Sequence, residues 1–135
     1  FRGELFSGTH NFASGGDGFK IALYTGSIGS VYTTSSTVVS GTNEVSTGGG
    51  SNYTRQALSS QAVASSTAVA TVDFGDSTWS SATFTAAFAA IYNDDQGDKL
   101  CVVLDFGGDK TCTNGTFKIT YPDPSTPANA IISMS

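Results

Sequence analysis

Histidine occurs once in this 135-residue chain, at His10, as do tryptophan (Trp79) and methionine (Met134); cysteine occurs twice, proline three times, and lysine plus arginine six times. Each scarcity closes off a class. A Ser-His-Asp hydrolase needs an imidazole to take the serine proton, yet His10 sits in the N-terminal segment and the chain has no Gly-x-Ser-x-Gly elbow. A surface or packing role suits His10 better. Six scattered basic residues and a net charge of −5 do not make the clustered cationic face that phosphate backbones require, so no nucleic-acid partner is expected. No apolar run approaches the ~20 residues of a spanning helix, and no charged-then-apolar signal segment opens the sequence. A soluble chain with no membrane partner is expected.

The phosphate and metal classes fare no better. Gly15-Gly16-Asp17-Gly18, Gly48-Gly49-Gly50 and Gly107-Gly108-Asp109-Lys110 lack the Walker spacing and its closing Lys-Ser/Thr, and read as turns. Asp94, Asp95 and Asp98 crowd one loop, and Asn93 to Asp98 offers several oxygen ligands of the kind Ca²⁺ takes. The alternation of a calcium loop is missing, so a solvated hairpin turn is expected there, with no cofactor. Asp105 and Asp109 flank the next loop, at the other end of the intervening strand, so the two clusters should not merge into one site. No pair of carboxylates is fixed at a glycosidase separation. Asn52-Tyr53-Thr54 and Asn114-Gly115-Thr116 fit the glycosylation pattern, as chance allows in a chain this rich in Ser, Thr and Asn. Trp79 reads as a core anchor before it reads as a sugar platform.

What is present is β-sheet chemistry. Ser and Thr make up roughly a quarter of the chain, and they compete with a helical backbone. The central stretch is Phe84 to Tyr121, where apolar runs at 84–93, 99–106 and 116–121 are separated by Gly/Asp/Asn-rich interruptions at 94–98 and 107–115. That predicts a three-stranded antiparallel meander. Leu100 to Leu104 is nearly continuous in apolar residues, which predicts a central strand covered on both faces. In 116–121, Phe117, Ile119 and Tyr121 share one face, and Thr116, Lys118 and Thr120 the other. A reversal at Gly107–Lys110 would set Cys101 opposite Thr116 and Cys112 opposite Asp105, too far apart for a disulfide. Free thiols are expected, with Cys101 acting as a small core hydrophobe.

Elsewhere, Phe1 to Phe12 allows one or two helical turns stopped by Gly8, and 11–18 is turn chemistry. Strands are expected at Phe19–Tyr24, Tyr53–Leu58, Ala68–Phe74, Ala82–Thr85 and Ala130–Met134, with Thr78-Trp79 a short connection and Pro122, Pro124 and Pro127 marking a loop. Thr25 to Asn52 is a long Gly/Ser/Thr-rich excursion, the kind of loop that is functional or mobile, and is where partner contacts are expected. About eight short strands give an all-β fold, an antiparallel two-sheet β-sandwich of jelly-roll or Ig-like type. One domain, 1–135, is expected, with 1–18 an N-terminal segment engaged in contacts.

Several blocks, Phe19–Thr25, Asn43–Ser46 leading to Tyr53-Thr54, Thr78–Ala86, Ile91–Asn93, Val103–Lys110 and Asn114–Thr120, resemble a family of small virion proteins of tailed bacteriophages in the same order along most of the chain. Cys101, Cys112 and Phe88 depart from the family's small or polar residues. The resemblance implies a structural protein of the particle and no enzyme. Its leading expression is a capsid decoration or cement protein on the outer capsid surface, a homotrimer bound to the major capsid protein. Phe1, Phe6, Tyr32, Val38, Val39, Tyr53 and, if it faces outward, Phe88 are the expected contact residues. The alternatives are a head, collar or tail-fibre adhesin binding host glycans through Trp79, Tyr32 and Tyr53, and a tail or neck assembly protein.

Overall fold

The computed structural model describes residues 1–66, 69–122 and 130–134. A short helix, α1 (Arg2–Phe6), precedes β1 (Phe19–Tyr24), β2 (Gln56–Ala57), β3 (Ala62–Ser66), β4 (Val69–Asp73), β5 (Ser77–Asn93), β6 (Lys99–Ile119) and β7 (Ile132–Met134). These form two antiparallel sheets, β2-β1-β5-β6 and β3-β4-β7. The all-β, two-sheet architecture read from the sequence is present. Among the described residues there are seven strands, and no helix is long and apolar enough to cross a membrane.

β1 and β5 are the inner strands of the larger sheet, and both of that sheet's faces are covered. On one face Phe19, Ile21 and Leu23 of β1 and Phe84, Ala86, Ala89 and Ile91 of β5 join the main core with Phe12, Tyr53, Val72, Phe74, Trp79, Phe117 and Ile132. On the other, Ala22, Tyr24, Ala87, Phe88, Ala90 and Tyr92 form a second core with Tyr32. β5 records the change along its own length. Ser77–Thr85 largely alternates between buried and exposed, whereas Ala86–Asn93 is buried throughout, the signature of a strand with both faces covered. Its alanines at 86, 87, 89 and 90 let the two covering layers approach closely.

The expected meander is corrected by this topology. Ala82–Thr85 and Phe84–Asn93 are one strand with Thr78-Trp79 inside it, and Lys99–Ile119 is likewise continuous, pairing with β5 from Asn93–Lys99 to Ser77–Ile119. The chain reverses only once, at 94–98. The Gly107-Gly108 step that reads as a turn is a bulge: between the pairs Ala86–Lys110 and Phe88–Asp105, β6 carries more residues than β5. Gly107 and Gly108 take φ of +69° and +128°, and the second is accessible to little but glycine.

Leu100–Leu104 is therefore an edge segment and not a central one. Its two-faced packing was read correctly, since Cys101, Val102 and Leu104 touch the main core while Leu100 and Val103 touch the second. The alternation at the far end of β6 is also present: Phe117 and Tyr121 are buried, Thr116, Lys118 and Thr120 exposed. Cys101 and Cys112 are free, for a different reason from a reversal at Gly107. They lie eleven positions apart in one extended strand, at ~3.3 Å per residue, far beyond disulfide reach.

β1 has the predicted bounds, 53–58 shrinks to β2, and the last strand shortens to β7. β3 has no counterpart in the sequence reading. Ala68 and the loop prolines Pro124 and Pro127 lie outside the described residues.

Candidate functional site

The N-terminal segment meets the β5–β6 hairpin in a cluster of polar side chains. A five-residue helix does not hold itself together in water, so α1 depends on what it touches. Phe1 and Leu5 pack on the main core. Glu4, in the first turn, accepts from Lys99 Nζ at 2.5 Å (Oε1) and lies 3.0 Å from the Phe1 amino nitrogen and 3.4 Å from His10 Nε2 (Oε2). The Lys99 ammonium, with the Phe1 nitrogen second, holds the Glu4 carboxyl down at about 2.

His10 is buried, its ring 5.4 Å from Phe1 and 6.0 Å from Phe12. Asn93 Nδ2, itself fully buried, donates to His10 Nδ1 at 3.0 Å and to Asp17 Oδ2 at 2.8 Å. Nδ1 is therefore the acceptor, and Nε2 carries the proton toward Glu4. Burial works to raise the Asp17 carboxyl, but hydrogen bonds from Asn11 and Asn93 outweigh it and hold the group below its usual range.

Cys101 Sγ lies 3.9 Å from His10 Nδ1, so a cysteine, a histidine and an asparagine meet at one place. Their order is wrong for a thiol nucleophile. In a Cys-His-Asn arrangement the two ring nitrogens divide the work, one taking the thiol proton and the other held by the amide. Here thiol and amide crowd the same nitrogen. Burial, with the Glu4 charge second, pushes the Cys101 thiol up to about 12, where the reactive thiolate is scarce at neutral pH. The cluster acts as a clasp, holding the N-terminal segment to the hairpin.

Asp94–Gly97 form the hairpin turn that the sequence predicts, and their carboxylates diverge. Asp94 pairs with Lys20 at 2.7 Å and Asp95 Oδ2 accepts the Gly18 N–H at 2.7 Å. Among the described residues no three His, Cys, Asp or Glu side chains are grouped to hold a metal ion.

The residues proposed for partner contact divide sharply. Tyr32, Tyr53 and Phe88 are 5%, 1% and 1% exposed: this corrects Tyr32 and Tyr53 as contact residues, and Phe88 does not face outward, the condition on which it would have joined them. Phe88 stacks on Tyr24 at 5.0 Å and 8°. Tyr32 stands edge-on to both rings, and its hydroxyl donates to Tyr24 OH at 2.8 Å and accepts the Ser40 N–H. Tyr53 OH accepts the Leu23 N–H and donates to Glu44, which Arg55 grips with two nitrogens at 2.9 and 2.8 Å. The long excursion is thus tied to the sheet as the lid of the second core. Val39 is half-buried there, and Val38 stays exposed. Trp79 is 2% exposed, with Nε1 donating to Thr54 O at 2.8 Å. It is a core anchor, so neither it nor the two tyrosines offers a face to a sugar.

Phe1 and Phe6 come together at one end of the sandwich. With Arg2, Leu5, Ile132 and Met134 they line a groove of about 480 Å³ between α1 and β7. Phe6 is 84% exposed and Met134 43%. The β7 half of this groove escaped the sequence reading. No family model matches the chain, and no curated protein and no solved structure matches it.

Proposed function

We propose that the chain is a bacteriophage virion structural protein, a capsid decoration or cement protein that binds the major capsid protein on the outer surface of the particle, as a homotrimer. The blocks resembling small phage virion proteins motivate the particle. The observation that carries a docking role is the α1–β7 end, where an 84% exposed Phe6 stands over an apolar groove beside Met134. Contiguous exposed apolar surface of this kind marks interaction sites, and many copies engaged together on a lattice multiply a modest contact. The clasp around Glu4 and Lys99 holds that surface in place before docking, which lowers the ordering cost of binding.

The test is particle stability with and without the protein. Stripped particles should fail on heating and osmotic shock, recover when the native chain is added back, and not recover with Phe6→Asp. A copy number near that of the major capsid protein is expected. A few copies per particle, or stripped particles as robust as intact ones, would overturn the reading.

A further inference from the structure

Among the described residues the two sheets end in four edge strands, and three of these are guarded. β2 is two residues long and follows Arg55, and β7 is three residues long. β6 carries Lys99, Asp105, Lys110 and Lys118 on a ladder broken by register shifts. Shortness, charge and bulges are the usual means of keeping an edge from pairing with another chain. β3 has neither charge nor bulge. It runs its five residues in unbroken register with β4, from Ala62–Asp73 to Ser66–Val69, and no described residue bonds to its backbone on the outer side.

Two further observations indicate what pairs there. The first is charge: from 56 to 72 the sequence has no Asp, Glu, Lys, Arg or His. Such an edge gives a foreign partner no charge by which to be selected, and gives an identical edge none to repel. Copies of a chain with net charge −5 can meet along it without opposing like charges. The second is an unfinished apolar row. Val63 stands opposite Val72 of β4, and directly opposed residues share a face of the sheet. Val72 is buried in the main core, yet Val63 is 52% exposed, because β3 lies beyond the rim of that core with 62–65 all exposed. The row stops one strand short of a cover.

We infer that β3 pairs antiparallel with β3 of a second copy of this chain, about a two-fold axis at Val63. Two three-stranded sheets become one. Val63 then faces its own counterpart, Ala62 faces Ala64 of the second copy, and the apolar row runs without a break from one Val72 to the other. A contact of this kind is isologous. One short strand pair buries far less than the ~1,000 Å² of a stable complex, so free copies should associate weakly, and copies already held side by side gain most from it. The inference does not rest on the virion reading. A two-fold contact cannot close a ring of three, and it joins copies whatever else they bind.

Directly opposed residues of an antiparallel pair have Cα atoms about 4.5–5.5 Å apart, which a disulfide can span. Under mild oxidation Val63→Cys should link two chains through position 63, as read by peptide mass mapping. It should do so at least about tenfold faster than Ser65→Cys, whose two copies lie ~13 Å apart along the ladder. Amide exchange at 62–65 of the native chain should slow as protein concentration rises about a hundredfold, by mass action. Val63→Lys sets two cations face to face across the axis and should remove that concentration dependence, with an unchanged melting temperature in dilute solution verifying its fold. Equal linking at 63 and 65, exchange at 62–65 indifferent to concentration, or concentration-dependent protection confined to another segment would overturn the inference. So would protection of 62–65 that arises only when a different protein is added.

Discussion

Glu4 and Lys99, 95 positions apart in the chain, meet with Nζ 2.5 Å from Oε1 and join the first helix to the first residue of the longest strand. The Glu4 carboxyl, ordinarily near 4.5, is held at about 2 by that ammonium. A group depressed in the folded state contributes stability that is present above its unfolded pKa and is lost as protonation overtakes the folded one. Stability should therefore fall between about pH 4.5 and 2, by ~1 kcal/mol for a pair that is still partly solvated. Thermal melts of the native chain and Glu4→Gln across that range check it: the variant should start lower and show the smaller loss.

Phe6 is a contact residue in the sequence reading and Phe88 one only if it faces outward, and the two should respond oppositely to alanine. Phe88→Ala empties a site 1% exposed and stacked on Tyr24, and should cost about 3–5 kcal/mol in urea unfolding. Phe6→Ala should change stability by less than ~0.5 kcal/mol and, on the proposed decoration role, reduce attachment to the particle.

Glu44 accepts from Tyr53 OH and from two Arg55 nitrogens. Its removal strands a half-buried guanidinium, so Glu44→Ala should cost about 2–4 kcal/mol. Limited proteolysis should then cut within 25–52 at concentrations that spare the native chain.

The two thiols should separate in alkylation. With the Cys101 thiol raised to about 12 by burial, a thiol reagent at pH 8 should modify Cys112 in the native protein and reach Cys101 only on unfolding, as peptide mass mapping would reveal.

Local pattern gave β1 its exact register of faces, because Phe19-Lys20-Ile21-Ala22-Leu23-Tyr24 is bounded by glycine and turn chemistry. It failed at Gly107-Gly108, since two glycines serve a reversal and a bulge equally well and only the strand across the ladder decides between them. β3 was invisible because four of the five residues of Ala62–Ser66 are serine or alanine, and it pairs as a thin edge. The excursion was misjudged by its polarity, although a signal existed: Ala22 and Tyr24 are apolar on the face of β1 opposite Ile21, which requires some other segment to cover them. Of the proposed docking surface, Phe1 and Phe6 were legible as apolar residues in a short N-terminal segment. The groove was not, since Ile132 and Met134 reach it from the far end of the chain.

The larger sheet divides two cores, one closed by a second sheet and the other by a lid with little regular structure. A strand ladder must open along its length, whereas a lid fastened by side chains and by a few isolated backbone bonds, such as Val45 N–H to Leu23 O and Val39 N–H to Asp98 O, has less to break before it lifts. The molecule should therefore open at two levels. Amides of β1 and β5 should exchange only on global unfolding, and those of the excursion through a cheaper opening that leaves the sandwich intact.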